Sequence, residues 1–307
     1  MLLIITHKQD YTVDFVVNQL NAGAIPYYRL NCDDLLAAPY HLHFSTAGGL
    51  DLGQLAQVSA VWFRRVKRPQ LPAGTEPHVA EYVAGELLAL LHNLYLLLDC
   101  KWVSQPAAIY QAENKLYQLK IADKLGFTLP DTLVTNERSA LLDFYQAHAG
   151  EVIIKPLFNS RPTQASGQQQ VLFTNRLDPA HLTHLDRYTL TPSIYQRNIA
   201  KAYEVRVTVV GTAVFAAAVD SQASPVTHQD WRRAHLPFRA YELPPAVAQC
   251  CVALVAALHL RFGAIDLIRS VDGQYYFLEI NPNGQWAWLE IECGLPISQA
   301  LIAELTT

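Results

Sequence analysis

Two strand-like runs near the carboxyl end, Phe262–Ser270 and Tyr275–Asn281, flank Asp272-Gly273, a dipeptide that marks a tight hairpin. With those two residues at the centre of the turn, Asp266 falls opposite Glu279 and Ala264 opposite Asn281. Alternation along the second strand then puts Tyr275, Phe277, Glu279 and Asn281 on one face and Tyr276, Leu278 and Ile280 on the other. Carboxylates directly opposed on neighbouring strands, about 5 Å apart, repel each other unless a positive charge compensates. Two carboxylates and an amide oxygen make a hard-oxygen set suited to Mg²⁺, which binds through one or two carboxylates, waters and substrate phosphates. Neither run contains His or Cys, which argues against zinc. The competing reading is a surface pair with one carboxylate turned to solvent; the apolar residues alternating along the strand favour a half-buried sheet face instead.

Such a site needs cations for the phosphates. Lys115 stands at a helix start after Glu113-Asn114, and Lys155 ends the strand-like run Val-Ile-Ile-Lys-Pro. A strand end fixes an ammonium in place, and the polar segment 158–170 that follows could close over phosphates. A lone lysine would be weak evidence, and Lys155, followed by Pro156 and the polar segment, is the stronger of the two.

The elements that must carry these residues are readable from periodicity. Residues 2–6 form an apolar strand, Val13, Val16, Val17 and Leu20 recur at helical spacing before Gly23, and 25–30 form a second strand. Strand, helix and strand make a βαβ unit with a parallel sheet, and the absence of GxGxxG deprives it of a dinucleotide cradle. Residues 58–63 read as another strand, and the Arg64, Arg65, Lys67, Arg68 cluster after it reads as a solvated strand end. Val83, Leu87, Leu90, Leu91 and Leu94 give a core helix, and a further helix runs over 113–125 up to Gly126. Strands follow at 152–154, 194–196, 203–210 and 213–218, with a helix over 245–260.

Composition bounds the rest. The chain has 307 residues, twice a typical single domain, so it should divide into two or three subdomains. Apolar types make up 51% and charged types 16%, which excludes a disordered or fibrous chain. With 23 basic against 27 acidic residues, no global field favours nucleic acid or an anionic membrane. The most apolar stretch, 87–98, is too short to span a bilayer, and the amino terminus is not patterned as a secretion signal. Five scattered cysteines without metal-ligand spacing suit reduced thiols, so the expected location is the cytoplasm.

The residues Asn114-Lys115, 126–130, 152–156, 196–206, Asp266 and Leu278-Glu-Ile-Asn-Pro-Asn together resemble the ATP-grasp ligases, in the right order throughout. The opening strand and helix, Val61-Trp-Phe-Arg-Arg, Ala112-Glu-Asn-Lys, Tyr203-Glu-Val-Arg-Val-Thr-Val-Val-Gly, Asp230-Trp-Arg and Glu279-Ile-Asn-Pro-Asn-Gly-Gln-Trp look like the graspetide, or microviridin-type, peptide maturases. The resemblance covers nearly the whole chain. It implies an α/β chain of α+β subdomains: an ATP-grasp fold behind an N-terminal βαβ pre-ATP-grasp domain. The expected divisions are 1–108, a central subdomain with a phosphate lid over 109–190, and a C-terminal subdomain with the metal site over 191–307.

By that resemblance ATP and Mg²⁺ are the cofactors. Lys115 and Lys155 would contact phosphates, Gln196, Arg197, Asn198 and Ile199 would form the adenine hinge, and Glu204 would hold the ribose. Arg232 would meet the polyphosphate, and Asp266, Glu279 and Asn281 would hold magnesium. The hinge departs from the family pattern, because Arg197 stands where an acidic residue is usual, and the lid has Gly167 alone. Arg206 and the 230–233 segment, including Arg232, are the candidates for orienting an acceptor carboxylate, Arg206 being equally readable as a buried strand partner. No Ser-His-Asp or Cys-His arrangement is recognisable, so no covalent enzyme intermediate is expected.

The implied partner is a ribosomal precursor peptide, leader plus acidic core, whose Asp or Glu side chains are joined to Ser or Thr as esters or to Lys as amides. Trp62 and Trp286 are candidates for apolar contacts with the leader and equally for the core. A homodimer would fit the resemblance; nucleic acid and membrane are not expected partners. Two alternatives compete: an ATP-grasp carboxylate-amine ligase acting on a small molecule or a protein tail, and a nucleotide-binding regulatory module without turnover. The Val61-Trp-Phe-Arg-Arg segment and the Asn283-Gly-Gln-Trp extension favour the maturase over the first, and the retained carboxylates and lysines oppose the second.

Overall fold

The structure, a computed structural model, describes residues 1–37, 39–69, 71–158, 172–184 and 191–307. β1 (Leu2–Thr6) is buried along its whole length. Leu3 and Ile5 enter one apolar cluster and Leu2 and Ile4 another, as alternation in a strand covered on both faces requires. α1 (Tyr11–Ala22) lays Val13, Val16 and Leu20 against the Leu2 and Ile4 side. It leads to β2 (Tyr27–Asn31), parallel to β1, so the expected βαβ unit is present with its second strand beginning at Tyr27. A short hairpin of β3 (His43–Ser45) and β4 (Gly49–Asp51) precedes β5 (Ala60–Phe63). α2 (Pro77–Leu97) presses Leu87 and Leu91 onto the opposite face, and β6 (Lys101–Val103) completes the order β2-β1-β5-β6.

The helix expected over 113–125 is two helices, α3 (Pro106–Ala112) and α4 (Lys115–Lys124). Asn114 breaks them: its backbone is extended, and its side-chain Nδ2 donates to the carbonyls of Tyr110 and Gln111 in the last turn of α3. The restart makes Lys115 the first residue of α4.

The next unit holds β7 (Thr132–Thr135), α5 (Arg138–Ala147), β8 (Val152–Pro156), β9 (Asn175–Arg176), α6 (Pro179–Leu182) and β10 (Ser193–Arg197). Its four-stranded antiparallel sheet runs β7-β10-β8-β9 over a small core of Leu141, Val152, Leu177 and Tyr195. The expected lid, 158–170, lies outside the described residues except for Phe158.

The last sheet is antiparallel in the order β13-β12-β11-β14-β15: β11 (Lys201–Val210), β12 (Ala213–Val219), β13 (Phe238–Tyr241), β14 (Phe262–Ser270) and β15 (Tyr275–Asn281). α7 (Pro245–Ala257) covers it through Cys251, Leu254 and Val255, while α8 (Ala287–Cys293) and α9 (Ile297–Thr306) pack against the first sheet's other cluster. Leu3 of the first sheet and Val207 of the last belong to one continuous core.

The β14–β15 hairpin differs from expectation in two places that cancel. Gly273 donates to the Ser270 carbonyl and Ser270 to the Gln274 carbonyl, so the turn has three residues, Val271, Asp272 and Gly273, with Gly273 at φ +89°. That turn pairs Leu267 with Phe277, one residue off the two-residue register. Leu278 is then an extra, bulged residue, and beyond it Asp266 meets Glu279 and Ala264 meets Asn281 as expected. The bulge corrects the face assignment: Phe277, expected beside Glu279, is buried in the core, and Leu278, expected on the core face, lines the cleft with Glu279.

Burial corrects one further expectation and decides another that was open. Arg64, read as part of a solvated strand end, is 1% exposed, because β5 runs into the interior between α1 and the segment after β15. Trp62 and Trp286 are both buried in the core, Trp286 edge-on to Phe15, and offer no surface to a leader peptide.

Candidate active site

Three strands of the last sheet carry one row of charges. Arg206 on β11 is the register partner of Asp266 on β14, which is the partner of Glu279 on β15. Arg206 donates from Nη1 to the Asp266 carboxylate at 2.7 Å. Lys115, at the start of α4, places its ammonium 3.4 Å from Glu279 and 3.1 Å from the Pro156 carbonyl. The compensating positive charge that the opposed carboxylates require therefore flanks the pair from both sides. Gln118, one turn along α4, clamps β15 by accepting from the Ile280 N–H and donating to the Ile280 carbonyl.

The two carboxylates titrate differently. Burial pushes the Asp266 carboxyl above the usual range; Arg206 opposes this and the Glu279 charge adds to it. Burial acts on Glu279 as well, but Lys115, Lys155 and Arg232 together hold it below the usual range. Lys155, at the end of β8, is pulled down to about 8, first by desolvation and then by Lys115 and Arg232, with Glu279 opposing.

The remaining candidates come from loops around the row. Glu204 is buried and accepts from Lys201 Nζ at 2.9 Å; burial lifts its carboxyl above the usual range even so. Lys201 also donates to the Gln229 carbonyl. Gln196 is fully buried and donates to Thr132 Oγ1, while its Oε1 has no partner among the described residues. The Arg197 and Asn198 amides already donate to the carbonyls of Asp131 and Glu151. Arg232 makes a two-pronged contact with Asp230, at 2.8 and 2.6 Å, and that pairing raises its already high pKa. Arg233 stacks over Phe173 and donates to the Thr174 carbonyl, which ties the 230–233 turn to the strand side of the central unit.

Lys115, Lys155, the 196–199 segment, Glu204, Arg232, Asp266 and Glu279 all line one cleft between the last two sheets. Arg206 and Asn281 do not. Arg206 lies behind Asp266, where a methyl on Gly284 would sit 2.7 Å from its Nη2. Asn281 faces an adjoining chamber and accepts from the Asn283 N–H. Lys201 was missed by the sequence reading; its spacing of three from Glu204 was the available clue. Among the described residues no three His, Cys, Asp or Glu side chains cluster as a metal site, so any cation here rests on two carboxylates and neutral oxygens.

The comparisons decide the family. Residues 1–110 match the family model of the MvdD pre-ATP grasp domain. The macrocyclase MdnC from Microcystis aeruginosa MRC, solved with its precursor peptide MdnA, is 30% identical over 99% of both chains, with a TM-score of 0.86. This chain belongs to the RiPP-associated ATP-grasp ligases. A ligase of that family from Chryseobacterium gregarium, solved with ADP and a leader and core peptide, is 29% identical over 99% of this chain and 96% of its own, with a TM-score of 0.89. The macrocyclase MdnB from Microcystis aeruginosa MRC is 28% identical at a TM-score of 0.79, again over 99% of this chain and 98% of that one. A comparison with curated proteins gives no match. As a RiPP-associated ATP-grasp ligase, the chain is an enzyme of mixed α/β architecture that follows a pre-ATP-grasp domain with an ATP-grasp core. Among the described residues no helix is long and apolar enough to cross a membrane.

Proposed function

We propose that this ligase is an ATP-dependent macrocyclase that joins Asp or Glu side chains of a ribosomal precursor peptide to Ser or Thr as esters, or to Lys as amides. The carrying observation is the one cleft in which Asp266 and Glu279 stand opposed beneath Lys115, Lys155 and Arg232. Nucleotide binding is supported by the related ligase solved with ADP, and the peptide by relatives solved with theirs.

The donor set fits a hard divalent cation. Asp266 and Glu279 stand directly opposed as register partners, Asn281 follows two residues later on the same strand, and every donor is oxygen. Asp266, Glu279 and Asn281 would hold magnesium, whose chemistry is to neutralise and orient phosphate oxygens. Arg206 is assigned the holding of Asp266, since it is committed to that carboxylate and lies outside the cleft.

In the reaction a peptide carboxylate attacks the γ-phosphorus of ATP, releasing ADP and leaving an acylphosphate; a hydroxyl or amine of the same peptide then attacks the acyl carbon and phosphate departs. Lys115, Lys155 and Arg232 bind and neutralise the transferring phosphoryl group, so catalysis is mainly positioning and electrostatics. Gln196 to Ile199 frame the base end of the cleft, with Ile199 as its apolar wall, and Glu204 faces the ribose. The supporting observation is that these residues line the same cleft as the lysines.

Mass spectrometry of the acidic precursor peptide encoded beside the gene, incubated with enzyme, ATP and Mg²⁺, tests the reading. The expected result is loss of one water per ring, with base treatment separating labile esters from stable amides. Addition of an amino-acid mass, or ATP consumption with an unchanged peptide, would overturn it.

A further inference from the structure

Lys115 and Glu279 line two chambers at once: the cleft described above and a second chamber of about 380 Å³ on the far side, towards β5, α3 and the segment after β15. Together they form the partition between the two. A group that reacts with a phosphorylated carboxylate at this partition approaches from whichever side the nucleotide does not fill. The second chamber is that side, and its size lies within the usual range of ligand sites.

Most polar groups in its wall are already committed. Arg64 donates to the carbonyls of Asn283 and Gly284, Gln118 is spent on Ala112 and Ile280, and Asn281 accepts from Asn283. Of the chamber's two carboxylates, Glu279 is held by Lys115. The other, Glu113, makes no side-chain hydrogen bond or ion-pair contact among the described residues. It stands two residues before Lys115, at the break between α3 and α4, and lines the chamber.

We infer that the second chamber receives the nucleophile of the core peptide and that Glu113 is the proton acceptor of ring closure. The inference rests on the macrocyclase reading. In the step, Glu113 takes the proton from a Ser or Thr hydroxyl or a Lys ammonium, and the freed oxygen or nitrogen pair bonds to the acyl carbon. The acyl carbon's bond to the phosphate oxygen breaks, and phosphate leaves with that electron pair; where the nucleophile is Lys, the departing phosphate takes the second proton from the nitrogen. The proton on Glu113 is then lost to water. Partial desolvation lifts the Glu113 carboxyl above its ordinary range, with the Arg65 charge opposing, which moves it towards the working range of a base.

The test separates the two half-reactions. Hydroxylamine traps the acylphosphate as a hydroxamate without needing a base, whereas ring closure removes water from the peptide. Glu113→Gln should form hydroxamate at the wild-type rate but close rings at least about 100-fold more slowly. The rise of ring closure with pH at the acidic end, present in wild type, should vanish, and Glu113→Asp should restore part of the rate. Equal loss of both half-reactions in a folded Glu113→Gln protein, or ring closure at the wild-type rate, would overturn the role of Glu113. Wild-type enzyme that forms neither hydroxamate nor rings would instead overturn the macrocyclase reading itself.

Discussion

Asp266 and Glu279 carry the same group on adjacent strands, and their neighbours treat them in opposite ways. Glu279 is surrounded by cations and stays ionised; Asp266 has Arg206 and pays for its burial with a raised pKa. Glu279→Gln removes the charge that Lys115 pairs with while keeping the shape, so it should leave the fold intact and lower ATP-dependent turnover by at least about 100-fold, read by ADP release. Lys155 titrates at about 8, so its charge is present below that pH and is lost as pH rises through it. Nucleotide affinity measured by calorimetry should accordingly weaken above about pH 8 in wild type, and Lys155→Arg, charged at every working pH, should flatten the profile. Lys155→Ala should weaken affinity by about 10-fold to 100-fold at neutral pH, as the loss of a hydrogen bond to a charged group predicts.

At the scale of elements, the β14–β15 hairpin brings its carboxylates together because a turn and a bulge compensate each other. Gly273 sits at φ +89°, where a side chain is strained, and a Cβ there would also meet the Arg269 guanidinium. Gly273→Ala should lower unfolding stability by about 1–2 kcal/mol in denaturant titration while Asp266 and Glu279 keep their register. Deleting Leu278 should do the reverse of a conservative change. It removes the residue that restores the pairing of Asp266 with Glu279, so either the Glu279 carboxylate or the Phe277 ring must leave its place. Loss of turnover together with a marked fall in Tm is the expected outcome, and a deletion variant with normal turnover would show that the bulge is dispensable. The break between α3 and α4 belongs to the same scale, since Asn114 both closes one helix and starts the next with Lys115.

At the scale of the molecule, the first sheet reaches the site through a buried ion pair. Arg64 lies 3.5 Å from Asp10, which also accepts from Thr6, and it donates to the backbone of Asn283 and Gly284 just beyond β15. Burial lowers Arg64 to about 10, yet Arg64 and Thr6 still hold Asp10 below the usual carboxylate range. Replacing Arg64 with Met would strand the Asp10 carboxylate in the interior and should cost about 3–5 kcal/mol of stability, read by chemical denaturation. Because Asp10 is depressed, its contribution is present at neutral pH and is lost as pH falls through its native pKa. Gly284 shows why this joint is tight: a methyl there would meet the Ala264 side chain at 2.5 Å as well as Arg206.

Local order was legible in the chain because it is periodic. Alternation and helical spacing place β1, α1, α2, β11 and the β14–β15 hairpin, the opposed carboxylates follow from strand pairing, and the motifs around Lys115, Lys155 and Glu279 carry the family. What the sequence could not contain is which distant side chain answers each charge. Arg206 joins Asp266 across 60 residues, Lys115 joins Glu279 across the interface of a helix and a sheet, and Arg64 leaves an apparently solvated basic cluster for the interior. Those pairings depend on how elements pack and on how much water the packing excludes, and neither has a local period to read. The hairpin marks the boundary between the two kinds of information: its partners could be named from spacing, but only the fold decided that a three-residue turn and a bulge at Leu278 would deliver them.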